Sequence, residues 1–374
     1  MSLLRLLNHL DRDRFCPSVA VGRSGGAYEG RLAADVERHV LCEGPLWSST
    51  GRLLRALLPL RRLIRRKKPD VVFSVMDVAN VALLLAVGGM QPRPRVVLSV
   101  QNNPRVKYDG EAFAPVKAAT FFLMSRLYDR ADGIVAISKG VERELTAMVP
   151  AARGRTAVIH NAGVDETVRR KARRPVEHDT PKKASAEKVV VACGRLIEQK
   201  GFEYLLEAFA RLHRRGVSAQ LWILGEGTRR TMLERRAREL GIDERVWMPG
   251  FVDNPYRFMA AADVFALSSL WEGFGNVVAE AMACGAPVVT TDCPHGPAEI
   301  VEGGASGRLV PPRDPDALAE ALEEVLTDEA LRERLAAAGR ERAHDFAADR
   351  VAERHGALFR HLMGDPSAAD DVSV

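Results

Sequence analysis

Val264-Phe-Ala-Leu-Ser-Ser-Leu-Trp-Glu-Gly-Phe-Gly-Asn-Val-Val-Ala-Glu-Ala-Met-Ala-Cys-Gly-Ala-Pro-Val-Val-Thr290 reads as strand, loop, helix and strand. Val264 to Leu267 is a short apolar run suited to a buried parallel strand, and Gly273 and Gly275 punctuate the loop after it. The spacing predicts a helix from Asn276 to about Cys284, stopped by Gly285 with Pro287 beyond. Its free N–H groups near Gly275, Asn276 and Val277 then lie at the carboxyl end of a strand, where open α/β sheets bind ligands and anions. Glu272 in the loop and Glu280 in the helix flank that end, and a carboxylate suits the paired hydroxyls of a sugar or ribose. Anion and diol together describe a nucleotide sugar. The bland alternative stays open: Glu272 as a solvated loop acid and Glu280 as an acid complementing the helix dipole.

Glu272-Gly-Phe274-Gly followed by Glu280-Ala-Met-Ala-Cys-Gly-Ala-Pro-Val-Val resembles the E-x7-E signature of the family-4 retaining glycosyltransferases, and Gly194-Arg195-Leu196 with Lys200-Gly201 is similar to their upstream motif. The resemblance implies the GT-B fold, α/β with two Rossmann-like, doubly wound parallel-sheet domains facing a cleft. By that resemblance Glu280 holds the ribose, Glu272 the transferred sugar, and Arg195 and Lys200 the diphosphate. Gly194, Gly273, Phe274, Gly275, Asn276 and Val277 complete the donor site, and Arg195, Lys200 and Glu272 carry the chemistry. The segment Thr291 to Ile300 is similar to relatives that use UDP-N-acetylhexosamines. There His295 reads either as a phosphate or acceptor contact or as a solvated loop histidine. Similar enzymes often carry a histidine near Gln101-Asn102-Asn103; with Asn102 in that place an acid or base role is lost and a hydrogen bond to a hydroxyl remains.

With 374 residues, 47% hydrophobic and 28% charged, the composition fits a globular chain of two domains. A net charge of +5 suits an anionic partner. Nucleic acid ranks low, because aromatic residues are 6% and no basic-aromatic platform is visible. No apolar window spans a bilayer and Met1 to Leu10 lacks a cleavage site, so the expectation is a cytoplasmic protein, peripheral on the inner membrane face. Five scattered cysteines without a CxxC pair argue against disulfides or zinc. Asp11-Arg-Asp13 and Asp314-Pro-Asp316 have DxD spacing but read as helix ends, so neither metal nor cofactor is expected. A nicotinamide site is disfavoured because the Gly194 turn lacks the GxGxxG pattern.

Strands expected at Val19–Val21, Asp70–Val75, Val96–Val100, Gly133–Ile137 and Thr156–His160 alternate with helices in an acceptor-side domain, 1–167. A charged, apolar-poor linker, 168–187, leads to a nucleotide-sugar-binding domain, 188–345, with strands from Lys188, Ala219, Arg245 and Val264. A helix over 346–363 is expected to cross back, and 364–374 to form a flexible tail. Asp77 reads as a helix N-cap or as a cleft acid. Between Gly51 and Lys68 stand Arg52, Arg55, Arg61, Arg62, Arg65, Arg66, Lys67 and Lys68 with no acid, either a solvated cationic face or a dock for anionic membrane. Proteins of similar sequence open on an apolar strand and a Gly-Gly loop, whereas Ser2-Leu-Leu4 already reads as helix. The expectation is a first domain lacking its central strand, and an incomplete or weakened chain.

The reading is a glycosyltransferase moving a hexose or N-acetylhexosamine from a UDP-sugar to a glycan or lipid-linked acceptor with retention. Alternatives are an epimerase or phosphorylase of the same fold, or a glycan- or lipid-phosphate-binding protein without activity.

Overall fold

The computed structural model describes residues 2–26, 29–42, 49–102, 115–176, 181 and 187–368. The chain divides into two compact units, one formed by Met1–Ala162 with Ala348–Val374, the other by Gly163–Ala347.

Unit 1 begins with α1 (Ser2–His9), which buries Leu6 and Leu7. Then come β1 (Ser18–Val21), β2 (Glu37–Val40), α2 (Ser49–Lys67), β3 (Val71–Val75), α3 (Asp77–Val87), β4 (Arg95–Val100), β5 (Gly133–Ala136) and β6 (Thr156–Val158). All pairings are parallel, as βα alternation requires. The strands form two sheets: β1 pairs with β2, and β3-β4-β5-β6 form the other. Among the described residues one edge of β1 and one edge of β3 have no ladder partner. A C-terminal helix, Ala348–Leu362, packs Val351, Leu358 and Phe359 on Val97, Val135 and Phe73.

One reading of this unit is corrected, and two further features stand beside it. Asp77 is not a cap: Met76 occupies that position at φ 82° without a side-chain cap bond, and Asp77, 3% exposed, is the first helical residue. Pro59 sits inside α2 without ending it. Glu37-Arg-His-Val40 forms a strand that its charge disguised.

Unit 2 contains β7 (Lys188–Cys193), β8 (Ala219–Leu224), β9 (Val246–Gly250), β10 (Val264–Leu267), β11 (Val288–Thr291) and β12 (Arg308–Val310), in the order β12-β11-β10-β7-β8-β9 and parallel throughout. Phe202, Leu205, Leu206, Phe209 and Leu212 recur at helical spacing on the Phe202–Arg214 helix and close over β7 and β8. Burying five such side chains contributes on the order of 10 kcal/mol against exposure. Elsewhere Trp222 meets both Trp247 and Phe258 edge to face, and Trp247 lies tilted against Phe258. Asp314 caps the Pro315–Thr327 helix through the N–H groups of Asp316 and Ala317, which accounts for one DxD match. The stretch read as a linker opens with a helix, Glu166–Ala172, because Asp165 caps it through Val168 N–H. Of the expected tail, Pro366–Ala368 forms a 3-10 turn. Residues 369–374 and Asn103 lie outside the described residues.

Candidate active site

Sheet order in unit 2 reverses at β7, which has β8 on one side and β10 on the other. Loops leaving two neighbouring strands in opposite directions open a crevice at their carboxyl ends, the usual ligand position in such sheets. The loop after β7 carries Gly194, Arg195 and Lys200, and the loop after β10 carries Glu272 to Gly275.

Several bonds stitch the two loops together. Leu270 N donates to the Gln199 carbonyl at 2.8 Å, Gln199 Nε2 to the Trp271 carbonyl at 2.9 Å, and Ser268 Oγ to the Lys200 carbonyl at 2.9 Å. Gly201 is left-handed at φ 56°, and a Cβ there would collide with the Ser268 carbonyl oxygen, so only glycine lets the strands' exits approach this closely. Lys200 then reaches back along Gly194, and its ammonium donates to Glu272 Oε1 at 2.5 Å. The same oxygen accepts from Ser269 Oγ at 2.7 Å. The Lys200 and Glu272 side chains are 13% and 8% exposed, so this ion pair is nearly dry and fixed by hydrogen bonds from both loops. Glu272 also exchanges backbone bonds with the segment after β11: its N–H donates to the Pro294 carbonyl at 2.7 Å and His295 N–H donates to its carbonyl at 2.9 Å.

The Asn276–Ala283 helix starts beside this pair. Its cap is Gly275 at φ 97°, a backbone state that positions the first N–H groups without a side-chain cap competing for them. The Asn276 Oδ1 atom is buried with no hydrogen-bond partner among the described residues. Glu280, farther along, accepts from the Tyr256 hydroxyl at 3.4 Å. Cys193, at the end of β7, lies within the fields of both Glu280 and Lys200. Burial first, then Glu280, pushes its thiol up to about 12, while Lys200 opposes the rise. Burial with Glu280 does the same at Cys284, and burial with Glu272 at Cys293, so these thiols stay protonated at neutral pH.

Gly194, Lys200, Glu272, Gly273, Phe274, Gly275, Asn276, Val277, Glu280 and His295 therefore belong to loops and a helix end at one edge of one sheet. Arg195 is exposed in the same loop, without a side-chain bond to another described residue. Asn102 is exposed past the end of β4 in unit 1. Sequence reasoning missed Ser269, Tyr256, Thr291 and Gln199. Thr291 Oγ1 donates to the Ser269 carbonyl at 2.6 Å and so braces the serine that holds Glu272. The signal for Ser269 was its place three residues before Glu272, the S-x-x-E spacing that lets a hydroxyl and a carboxylate meet in a turn. Among the described residues no group of three or more His, Cys, Asp or Glu side chains is gathered as metal ligands. No described helix is long and apolar enough to cross a membrane.

Comparison with known proteins agrees with the fold. Residues 174–342 match the family model for glycosyl transferases group 1, and residues 1–167 match that for glycosyltransferase family 4. The chain is 31% identical over 308 residues to a Campylobacter jejuni enzyme, N-acetylgalactosamine-N,N'-diacetylbacillosaminyl-diphospho-undecaprenol 4-alpha-N-acetylgalactosaminyltransferase, covering 82% of this chain and 80% of that one. It is 28% identical over 255 residues to an uncharacterized glycosyltransferase of Methanocaldococcus jannaschii, which is 67% of this chain and 62% of that relative's length. Among solved structures, HepE of Anabaena in complex with UDP and glucose superimposes with a TM-score of 0.76 at 22% identity, over 96% of this chain and 95% of that one. That likeness concerns the fold, which is GT-B.

Proposed function

We propose that this chain, which belongs to the group 1 glycosyl transferases, moves a hexose or N-acetylhexosamine from a UDP-sugar to a glycan or lipid-linked acceptor, with retention at the anomeric carbon. The observation that carries the reading is the Lys200–Glu272 pair at the crevice beside β7, next to the Asn276 helix N-terminus. An ammonium has three donors. One is given to Glu272, and the others serve the diphosphate, so a single side chain joins the sugar's hydroxyls to the leaving group. The reaction needs stabilisation of the negative charge that grows on UDP as its bond to the sugar lengthens. Lys200, Arg195 and the helix N–H groups supply the opposing positive charge, and the anomeric centre is attacked on the face UDP leaves. Glu272, anchored by Lys200 and Ser269, orients the sugar, and Glu280 takes the ribose. Asn102 and His295 are assigned to acceptor or sugar hydroxyls. No metal is required, since the protein's own cations face the diphosphate.

UDP is favoured by the Thr291–Ile300 resemblance. The name of the Campylobacter relative, which specifies a diphospho-undecaprenol acceptor, supports a lipid-linked acceptor here. Peripheral contact with anionic membrane through the basic α2 region, 51–68, fits such an acceptor. The test is to incubate the protein with UDP-, GDP- and ADP-sugars, with and without an acceptor alcohol, and follow nucleoside diphosphate release. Acceptor-dependent UDP release is the expected result. Product without acceptor would mean an epimerase or phosphorylase, and binding without release a glycan- or lipid-phosphate-binding protein.

A further inference from the structure

Phe274, between the two glycines of the donor loop, turns its ring edge-to-face onto Phe346, with centroids 5.4 Å apart and planes at 71°. Both rings are buried. Phe346 ends a 3-10 turn, His344–Phe346, that follows the Glu329–Ala343 helix. Arg342, in the last turn of that helix, covers the Phe346 ring with its guanidinium at 4.8 Å and donates to the Glu299 and Ile300 carbonyls at 2.8 and 3.0 Å. Those carbonyls close the Pro297–Ile300 helix, whose start is pressed on the donor loop: a Cβ on Gly296 would collide with the Phe274 backbone. The loop is therefore held twice from one anchor, by its ring and by its backbone.

The same anchor holds main chain of another kind. Its carbonyl accepts from the N–H groups of Gly163 and Val164 at 3.0 and 3.1 Å, and Val164 bridges Ala347 in parallel. Gly163 and Ala347 are the first and last residues of unit 2, so the chain's entry and exit meet at Phe346. Gly163 also lies against the donor helix, where an added Cβ would stand 3.2 Å from that of Ala279. Phe346 thus touches the donor loop through its side chain and the two crossings through its main chain. Packed, two-sided contacts of this kind let one site bias another.

We propose that Phe346 is a positioning residue through which occupancy of the donor crevice is felt at the Gly163–Val164 and Ala347 crossings. It acts through Phe274 and touches no substrate itself. The proposal rests on the reading of the crevice as a UDP site, so UDP affinity is measured separately, by calorimetry on the full chain. The test is then hydrogen exchange at the Gly163 and Val164 amides with and without saturating UDP. In wild type UDP is expected to slow that exchange at least about fivefold, the lower end of usual couplings between sites. In Phe346→Leu, which keeps the carbonyl but loses the ring edge, the slowing is expected to fall below about twofold at saturation. Phe274→Leu removes the same contact from the other side and is expected to behave alike, so either variant decides if the other fails to fold. Phe209→Leu, a like truncation in the core over β7 and β8, is expected to keep the full UDP effect, which separates coupling from general loosening. Wild-type protein that binds no UDP would overturn the donor reading and this proposal with it. UDP binding that leaves exchange at Gly163 and Val164 unchanged, or an effect that survives in both ring variants or vanishes equally in Phe209→Leu, would overturn the coupling alone.

Discussion

Tyr256 and Ser269 each touch one of the two acids, Glu280 and Glu272 respectively, and those contacts separate binding from chemistry. Ribose is unchanged between ground and transition state, so whatever holds it acts on affinity. Glu280→Gln is expected to raise the donor KM roughly tenfold, the worth of one charge-assisted hydrogen bond, while sparing kcat. Tyr256→Phe should move KM the same way by a smaller factor, and unchanged donor affinity in Glu280→Gln by calorimetry would remove the assignment. The acids were legible in the sequence because their spacing places both at one helix end. Their hydroxyl partners were not, since Tyr256 comes from another helix and only the folded sheet brings it near. His355 was equally silent in the sequence. Burial against Phe73 and Phe359 holds its imidazole down at about 4, with Arg354 acting in the same direction and the Val351 carbonyl against it. The unfolded value is about 6.5, so between those limits the unfolded chain binds a proton that the folded chain refuses. Stability from this residue is therefore full above about pH 6.5 and lost as pH falls toward 4. Urea unfolding should show wild-type protein losing about 2 kcal/mol more than His355→Gln between pH 7 and 5. Equal losses would show that the ring is hydrated in the folded state.

At the scale of elements, the apolar run of β10, Val264–Leu267, and the Val288-Val289 start of β11 announced themselves, because strands buried on both faces are mostly apolar. The strand β2 did not, since its half-exposed face carries Glu37, Arg38 and His39. Asp77 misled for a related reason: a strained Met76 makes the turn that an Asp cap would otherwise make. Loop stitching at the site makes its own prediction. Gly201→Ala puts a side chain at a positive φ against the Ser268 carbonyl, which should cost about 1–3 kcal/mol and displace Lys200. A melting point and kcat/KM both equal to wild type would show that the two loops are not in register through this glycine.

For the molecule as a whole, the division into two units puts every donor-site candidate in Gly163–Ala347 and returns the C-terminal helix to unit 1. Two Rossmann-like domains were readable from strand–helix alternation and the composition change after residue 167; among the described residues the strands of unit 1 stand in two sheets. Because Lys200, Arg195 and the Asn276 helix terminus are assigned the charge on the leaving diphosphate, turnover should survive an excess of EDTA, and its loss would assign that charge to a metal instead. The most direct measurement is acceptor-dependent UDP release by Lys200→Ala beside wild type. Removing the lysine leaves Glu272 buried with Ser269 alone, so Lys200→Gln, which keeps a donor to Glu272 without the charge, accompanies it and both are compared only where melting shows a folded protein. The expected result is a kcat lowered on the order of 10²-fold or more in both variants, as for other lost transition-state donors. A drop of about tenfold or less in a folded variant would contradict the account, because the pair at the crevice would then not bear the charge of the transfer.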